Sequence, residues 1–114
     1  MLKTENRLKK RKEFAYIYKK GVKTYGQNIT CYKVPSKYPT PRIGFSVSNK
    51  VGKAVVRNKV KRRMRAIVSE IVPQIKNCNI VFVAHPSIVN LEFDQIKNEI
   101  KSLLIKGKII DENI

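Results

Sequence analysis

Between Glu13 and Glu70 the chain carries no acidic residue, although lysines and arginines recur throughout that stretch. A fold built to avoid self-repulsion intersperses its signs. An acid-free span of this length requires an outside source of negative charge, which makes a polyanion the first expected partner. The imbalance is local. Residues 1–69 hold 20 basic and 2 acidic side chains, residues 70–114 hold 5 and 6, and the whole chain carries +17. The 42% apolar content is ordinary for a globular protein, and 114 residues suit one core and one domain.

Residues 1–12 read as a basic, partly mobile leader to a single domain over 1–114. A short helix follows, with Phe14, Ile17 and Tyr18 on one side and Gly21 as its expected left-handed cap. Gln27 to Val34 reads as a strand that places Thr30, Tyr32 and Val34 on one face and Ile29, Cys31 and Lys33 on the other. Pro35, Pro39 and Pro41 mark an exposed turn. Arg42 to Ser48 alternates, with Ile43, Phe45 and Val47 set against Gly44, Ser46 and Ser48. After a loop containing Gly52 comes a long helix, from about Val55 to Val72, whose apolar stripe is Val56, Val60, Met64, Ile67, Val68 and Ile71. Pro73 disfavours its continuation. Asn79 to Ala84 is a continuous apolar run, expected as a strand covered on both faces and ended by His85-Pro86. A last helix begins near Asn90, with Phe93, Ile96, Ile100, Leu103 and Leu104 inward. The order of helix, two or three strands, helix, strand and helix predicts an α+β or α/β sandwich of helices on a small sheet.

The long helix carries the chemistry. Eight of the sixteen residues in Lys50–Arg65, KVGKAVVRNKVKRRMR, are basic. Asn58, Lys61, Arg62 and Arg65 share a polar face beside the apolar stripe, and Lys59 and Arg63 flank the stripe on its other side. A solvated surface helix mixes its signs; here like charges stand four residues apart at 57 and 61, 59 and 63, and 61 and 65, each pair unfavourable in isolation. Arginine offers bidentate recognition of phosphate and lysine a mobile point charge. Asn58 both donates and accepts, which suits a phosphate, a 2′-hydroxyl or a hydrated metal ion. Lys53 and the Gly52 backbone precede the helix N-terminus, which itself favours an anion. Lys50 extends the cluster into the loop.

Independent catalytic machinery is missing. The single histidine, His85, has no matched nucleophile or acid and reads as structural. No paired carboxylates sit among the cations, and there is no phosphate-binding glycine loop, so neither a catalytic residue nor a protein-held metal is expected. Cys31 and Cys78 read as two buried thiols in a reducing cytosol. The start of the chain lacks an apolar signal segment and no apolar run approaches a membrane span, so the chain reads as cytoplasmic. An anionic membrane surface would call for broad exposed apolar helix faces, and the stripes here look sized for a core.

The string KVGKAVVRNKVKRRMR resembles the signature of the bacterial ribonuclease P protein component. The likeness spans nearly the whole chain: NRLKKRKEF, IYKKG, the strand bearing Tyr32, RIGFSVSNKVG and the basic helix stand in the family's order. It implies an α+β fold with a four-stranded sheet, in the order α-β-β-β-α-β-α, with a left-handed βαβ crossover and a ribosomal-protein-like two-layer sandwich. It also implies a holoenzyme, an endoribonuclease that removes the 5′ leader of precursor tRNA. There the RNA subunit carries catalysis with Mg²⁺ held mainly by that RNA, and the protein strengthens substrate and metal binding. The implied partners are the ribonuclease P RNA and precursor tRNA, with no DNA and no membrane. A non-enzymatic ribosomal or nucleoid protein is the alternative that charge alone would also allow. By position, the resemblance matches Arg57, Asn58, Lys61, Arg62 and Arg65, which with Lys50, Lys53 and Lys59 of the same basic segment make up the expected RNA-binding set. It gives a leader cleft, between the first helix and the sheet, of Phe14, Tyr18, Tyr32, Ser46 and Ser48. Lys59 departs from the family's Arg-Asn-Arg core: charge is kept there and bidentate geometry is lost. Stacking on the aromatic side chains would suit an unpaired leader of varying sequence. Tyr16, Tyr25 and Tyr38 read as surface or packing residues.

Overall fold

A computed structural model describes residues 3–36, 40–75 and 78–110. Pro39 and Tyr38 lie outside the described residues. The regular elements are α1 (Arg11–Lys20), β1 (Val22–Tyr25), β2 (Ile29–Pro35), β3 (Arg42–Val47), α2 (Ala54–Ile71), β4 (Cys78–Ala84) and α3 (Phe93–Lys106), with short 3₁₀ turns at Thr4–Asn6, Val72–Gln74 and Pro86–Asn90. The sheet order is β1-β2-β4-β3. The β1–β2 and β2–β4 pairs are antiparallel, and β3 pairs parallel with β4, so α2 is the connection that carries the chain from one to the other. This is the expected α+β mixed sheet.

Strand alternation divides the core in two. Ile29, Cys31, Ile43, Val47, Ile80, Phe82 and Ala84 face α2 and α3, where they meet Val60, Met64, Ile67, Val68, Ile96, Ile100 and Leu104. Phe45 stacks on Phe82 at 5.8 Å within this layer. On the other face Val34 and Val81 pack with Leu8 and Ile17 in a smaller cluster, with Phe14, Tyr32 and Val83 at its rim. β4 is thus covered on both sides, as its unbroken apolar run requires.

Several boundaries differ from the sequence reading. Gly21 is extended (φ −75°, ψ 153°), not left-handed, because the chain runs straight from α1 into β1. Glycine is needed there for closeness, since a Cβ would lie 2.4 Å from the Ile17 carbonyl oxygen. β3 ends at Val47, and Ser48 belongs to the turn, its carbonyl accepting the Val51 amide at 3.0 Å. Val56 falls out of the buried stripe: it is 38% exposed and Val55 is 79% exposed. The first turn of α2 extends past the core, while Val51 just before it is buried in the main cluster. Phe93 is likewise 41% exposed, one turn before the buried seam starts at Ile96. The 3₁₀ turn takes up Pro86–Asn90, and α3 starts after Glu92, whose amide donates to Gln95 Oε1 at 2.8 Å.

The described part of the basic leader is docked. Asn6 is buried, and its Nδ2 donates to the Pro41 carbonyl at 2.8 Å. The Leu8 amide donates to Ile43 O at 3.0 Å, and Arg7 bridges to Ile43 in parallel register. Cys31 and Cys78 are buried free thiols. Burial pushes Cys31 up to about 12 and raises Cys78 as well.

Candidate RNA interface

The turn before α2 is locked by its own backbone. Gly52 N–H donates to Asn49 O at 3.2 Å, and Gly52 has φ +156°, where a Cβ would also meet Val56 at 3.1 Å. Arg57 Nε donates to the Gly52 carbonyl at 3.1 Å, so this side chain both braces the loop and lies half-buried beside it. Lys50, Lys53, Asn58, Lys59 and Arg62 are exposed around this first half of the helix. Buried Val60, Met64, Ile67 and Val68 fix the helix by its opposite face. Among the described residues, α2 carries a single acid, Glu70, which pairs with Lys97 of α3 at 3.7 Å and lies at the far end of the helix from the cations.

Lys61 and Arg65 are half-buried and turn toward the sheet. With Arg7, Leu8, Phe14, Ile43, Gly44 and Phe45 they line a hollow of about 200 Å³. The cationic helix and the first aromatic of the expected cleft therefore border one concavity. Gly44 makes this arrangement possible: a Cβ there would stand 2.5 Å from Phe14 Cζ. Phe14 is consequently a packing residue as well as a cleft wall, half-buried against Gly44.

Farther along the cleft, Tyr18 meets Tyr32 edge-on, with ring centres 5.1 Å apart, and Phe14 is 6.5 Å from Tyr18. Register places Tyr32, Val81 and Gly44 in one row and Thr30, Val83 and Ser46 in the next. Ser46 and Val83 are half-buried in this second row, while exposed Ser48 lies in the turn after β3. His85 has a structural place: Nε2 is 2.8 Å from Thr30 Oγ1 and Nδ1 is 3.3 Å from Gln27 O.

Three features escaped the sequence reading. Arg7 lines the hollow beside Lys61 and Arg65. A wider, mainly basic depression, lined by Lys3, Arg7, Lys9, Lys10 and Arg42 with Glu5 and Glu13, borders the leader, and Glu13 pairs with Arg42 at 3.2 Å. Lys23 Nζ lies over both Tyr25 and Tyr32. The signal for this last was the Lys-x-Tyr alternation of β1, a strand the apolar pattern does not reveal. Among the described residues there is no group of three or more His, Cys, Asp or Glu able to hold a metal, and no helix is long and apolar enough to cross a membrane.

Comparisons with known proteins agree with this geometry. The family described as Ribonuclease P matches residues 2–108. The ribonuclease P protein component of Nitratiruptor sp. is 37% identical over 101 residues, covering 89% of this chain and 91% of that one. Its counterpart in Shouchella clausii is 32% identical over 111 residues, covering 96% and 91%. Among solved structures, the RNase P protein of Staphylococcus aureus superposes with a TM-score of 0.88 at 32% identity, covering 93% of this chain and 98% of that one. Coverage from end to end, a shared fold and the basic helix in place leave one conclusion: the chain belongs to the ribonuclease P protein family.

Proposed function

We propose that α2 grips the phosphates of the ribonuclease P RNA while the cleft between α1 and the sheet holds the single-stranded 5′ leader of precursor tRNA. The chain is the protein subunit of ribonuclease P, an endoribonuclease that works as a holoenzyme. The observation that carries the division of roles is the shared hollow: Lys61 and Arg65 of α2 face the same concavity as Phe14 of α1. A strand leaving an RNA held on α2 passes directly onto the aromatic row Phe14, Tyr18 and Tyr32. Stacking on such rings is worth ~1–3 kcal/mol per base and tolerates any sequence. Lys50, Lys53, Arg57, Asn58, Lys59 and Arg62 supply further phosphate contacts, and Ser46 and Ser48 offer hydroxyls along the cleft.

Mg²⁺ belongs to the RNA in this reading. The described residues offer no carboxylate cluster among the cations, so they do not fit a protein-held ion, and the protein's part is to bind and orient RNA. A ribosomal or nucleoid role accounts for the charge and leaves the aromatic cleft without a purpose.

The test compares the reconstituted holoenzyme on precursor and mature tRNA. Tyr32→Ala is expected to weaken binding of the leader-bearing substrate about tenfold and to leave mature tRNA unchanged. Equal losses on both substrates would remove Tyr32 from the leader path. Protein stripped of RNA is expected to cleave nothing.

A further inference from the structure

Tyr32 is not the end of the aromatic row. Lys23 stands opposite Tyr32 and Tyr25 opposite Thr30, so both β1 side chains lie on the sheet face that carries the cleft. Lys23 Nζ is 5.3 Å from the Tyr32 ring centre and 5.4 Å from that of Tyr25. The Tyr25 and Tyr32 hydroxyls, through hydrogen bonding, hold the Lys23 ammonium above its ordinary pKa, so it stays charged. Tyr25 is 66% exposed on an outer strand, with nothing in the small cluster covering it.

The series Tyr18, Tyr32, Lys23, Tyr25 thus leads from α1 to the sheet edge. Its last three members alternate ring, cation, ring. An unpaired strand alternates base, phosphate, base, and diagonal neighbours on paired strands are about 7–8 Å apart, a reach comparable to one step of an unstacked strand. Beyond the edge, Lys106 and Lys108 line a depression of about 430 Å³ with Lys23 and Tyr25, so cations continue where the row stops. We propose that Tyr25 and Lys23 form an additional nucleotide subsite at the outer end of the leader cleft. Tyr25 stacks the base next to the one on Tyr32, and Lys23 pairs with the phosphate between them. The subsite rests on the leader-cleft reading above and lengthens the stretch of leader that the protein senses.

The experiment measures holoenzyme affinity for precursor tRNAs whose leaders grow one nucleotide at a time. Unsubstituted protein is expected to gain affinity in successive steps. Tyr25→Ala is expected to lose the outermost step, about tenfold, while keeping the inner steps and full affinity for mature tRNA. Tyr25→Phe is expected to keep that step, and Lys23→Gln to lower the salt dependence of binding only for leaders long enough to reach it. A Tyr25→Ala profile identical to the unsubstituted one overturns the subsite, as does an equal loss at every leader length including none. If the unsubstituted protein shows no leader-dependent gain at all, the cleft reading itself falls. Because Tyr25 is exposed, thermal unfolding of the variants serves as a control for folding and is expected to be unchanged.

Discussion

On one face of the sheet Ile29, Cys31, Ile43, Ile80 and Phe82 disappear beneath α2 and α3; on the other, Tyr32, Val83 and Ser46 are only partly covered. The difference follows from the helices above them. α2 and α3 span 18 and 14 residues, whereas α1 has ten and leaves part of its face bare. Each strand serves both faces through alternate residues, so adjacent positions have different duties. The closed face holds the fold together, and the open face is the one we propose for the leader.

Substitutions at neighbouring positions that face opposite sides of the sheet should therefore separate folding from binding. The largest effect is expected at Phe82→Ala, which empties the closed layer and removes the ring stacked on Phe45. A loss of about 3–5 kcal/mol in denaturant unfolding is expected. A loss below ~1 kcal/mol would mean that the closed face is not where stability resides. Next is Gly44→Ala. The new methyl collides with the Phe14 ring, so that side chain must move. Overpacking of this kind costs ~1–3 kcal/mol, and leader discrimination is expected to fall with it, because the cleft wall moves.

Alkali probes the closed face differently. Cys31 has an ordinary value of 9.0 and is pushed up to about 12 by burial. Below 9.0 both folded and unfolded chains hold the proton. As pH rises from 9.0 towards 12, only the unfolded chain loses it, so stability falls through that window. About 1.4 kcal/mol should be gone near pH ~10 in a comparison with Cys31→Ala, and native protein should resist alkylation at that thiol. The smallest change is reserved for α2: Arg65→Ala is expected to reduce the log–log salt slope of RNA binding by ~0.7–0.9 with no change in unfolding. An unchanged slope would place the phosphate contacts on other residues.

Much of the closed face could be read in advance, because its helices and strands bury long aliphatic side chains at regular intervals. Ile96, Ile100, Leu103 and Leu104 lie where the period of 3.6 puts them. The errors cluster at element ends. Val56 and Phe93 obey the same period and stay exposed, since periodicity says which way a side chain points and not how far the opposing layer extends. Short β1 has a pattern too brief to register, so Lys23 goes unnoticed and Tyr25 reads only as a surface or packing residue. The basic helix stood out by charge alone, whereas the meeting of Lys61 and Arg65 with Phe14 depends on Gly44 and on tertiary geometry that no spacing rule contains.

β3 is the last strand of the sheet on its side, and its outer rim is met by residues 6–8 through the Asn6–Pro41 and Leu8–Ile43 hydrogen bonds. An uncovered strand rim is a template for pairing with another molecule. The N-terminal segment therefore covers the β3 rim as well as carrying charge. Trimming the chain past Leu8 should yield protein that associates through β3, a defect that would show in light scattering.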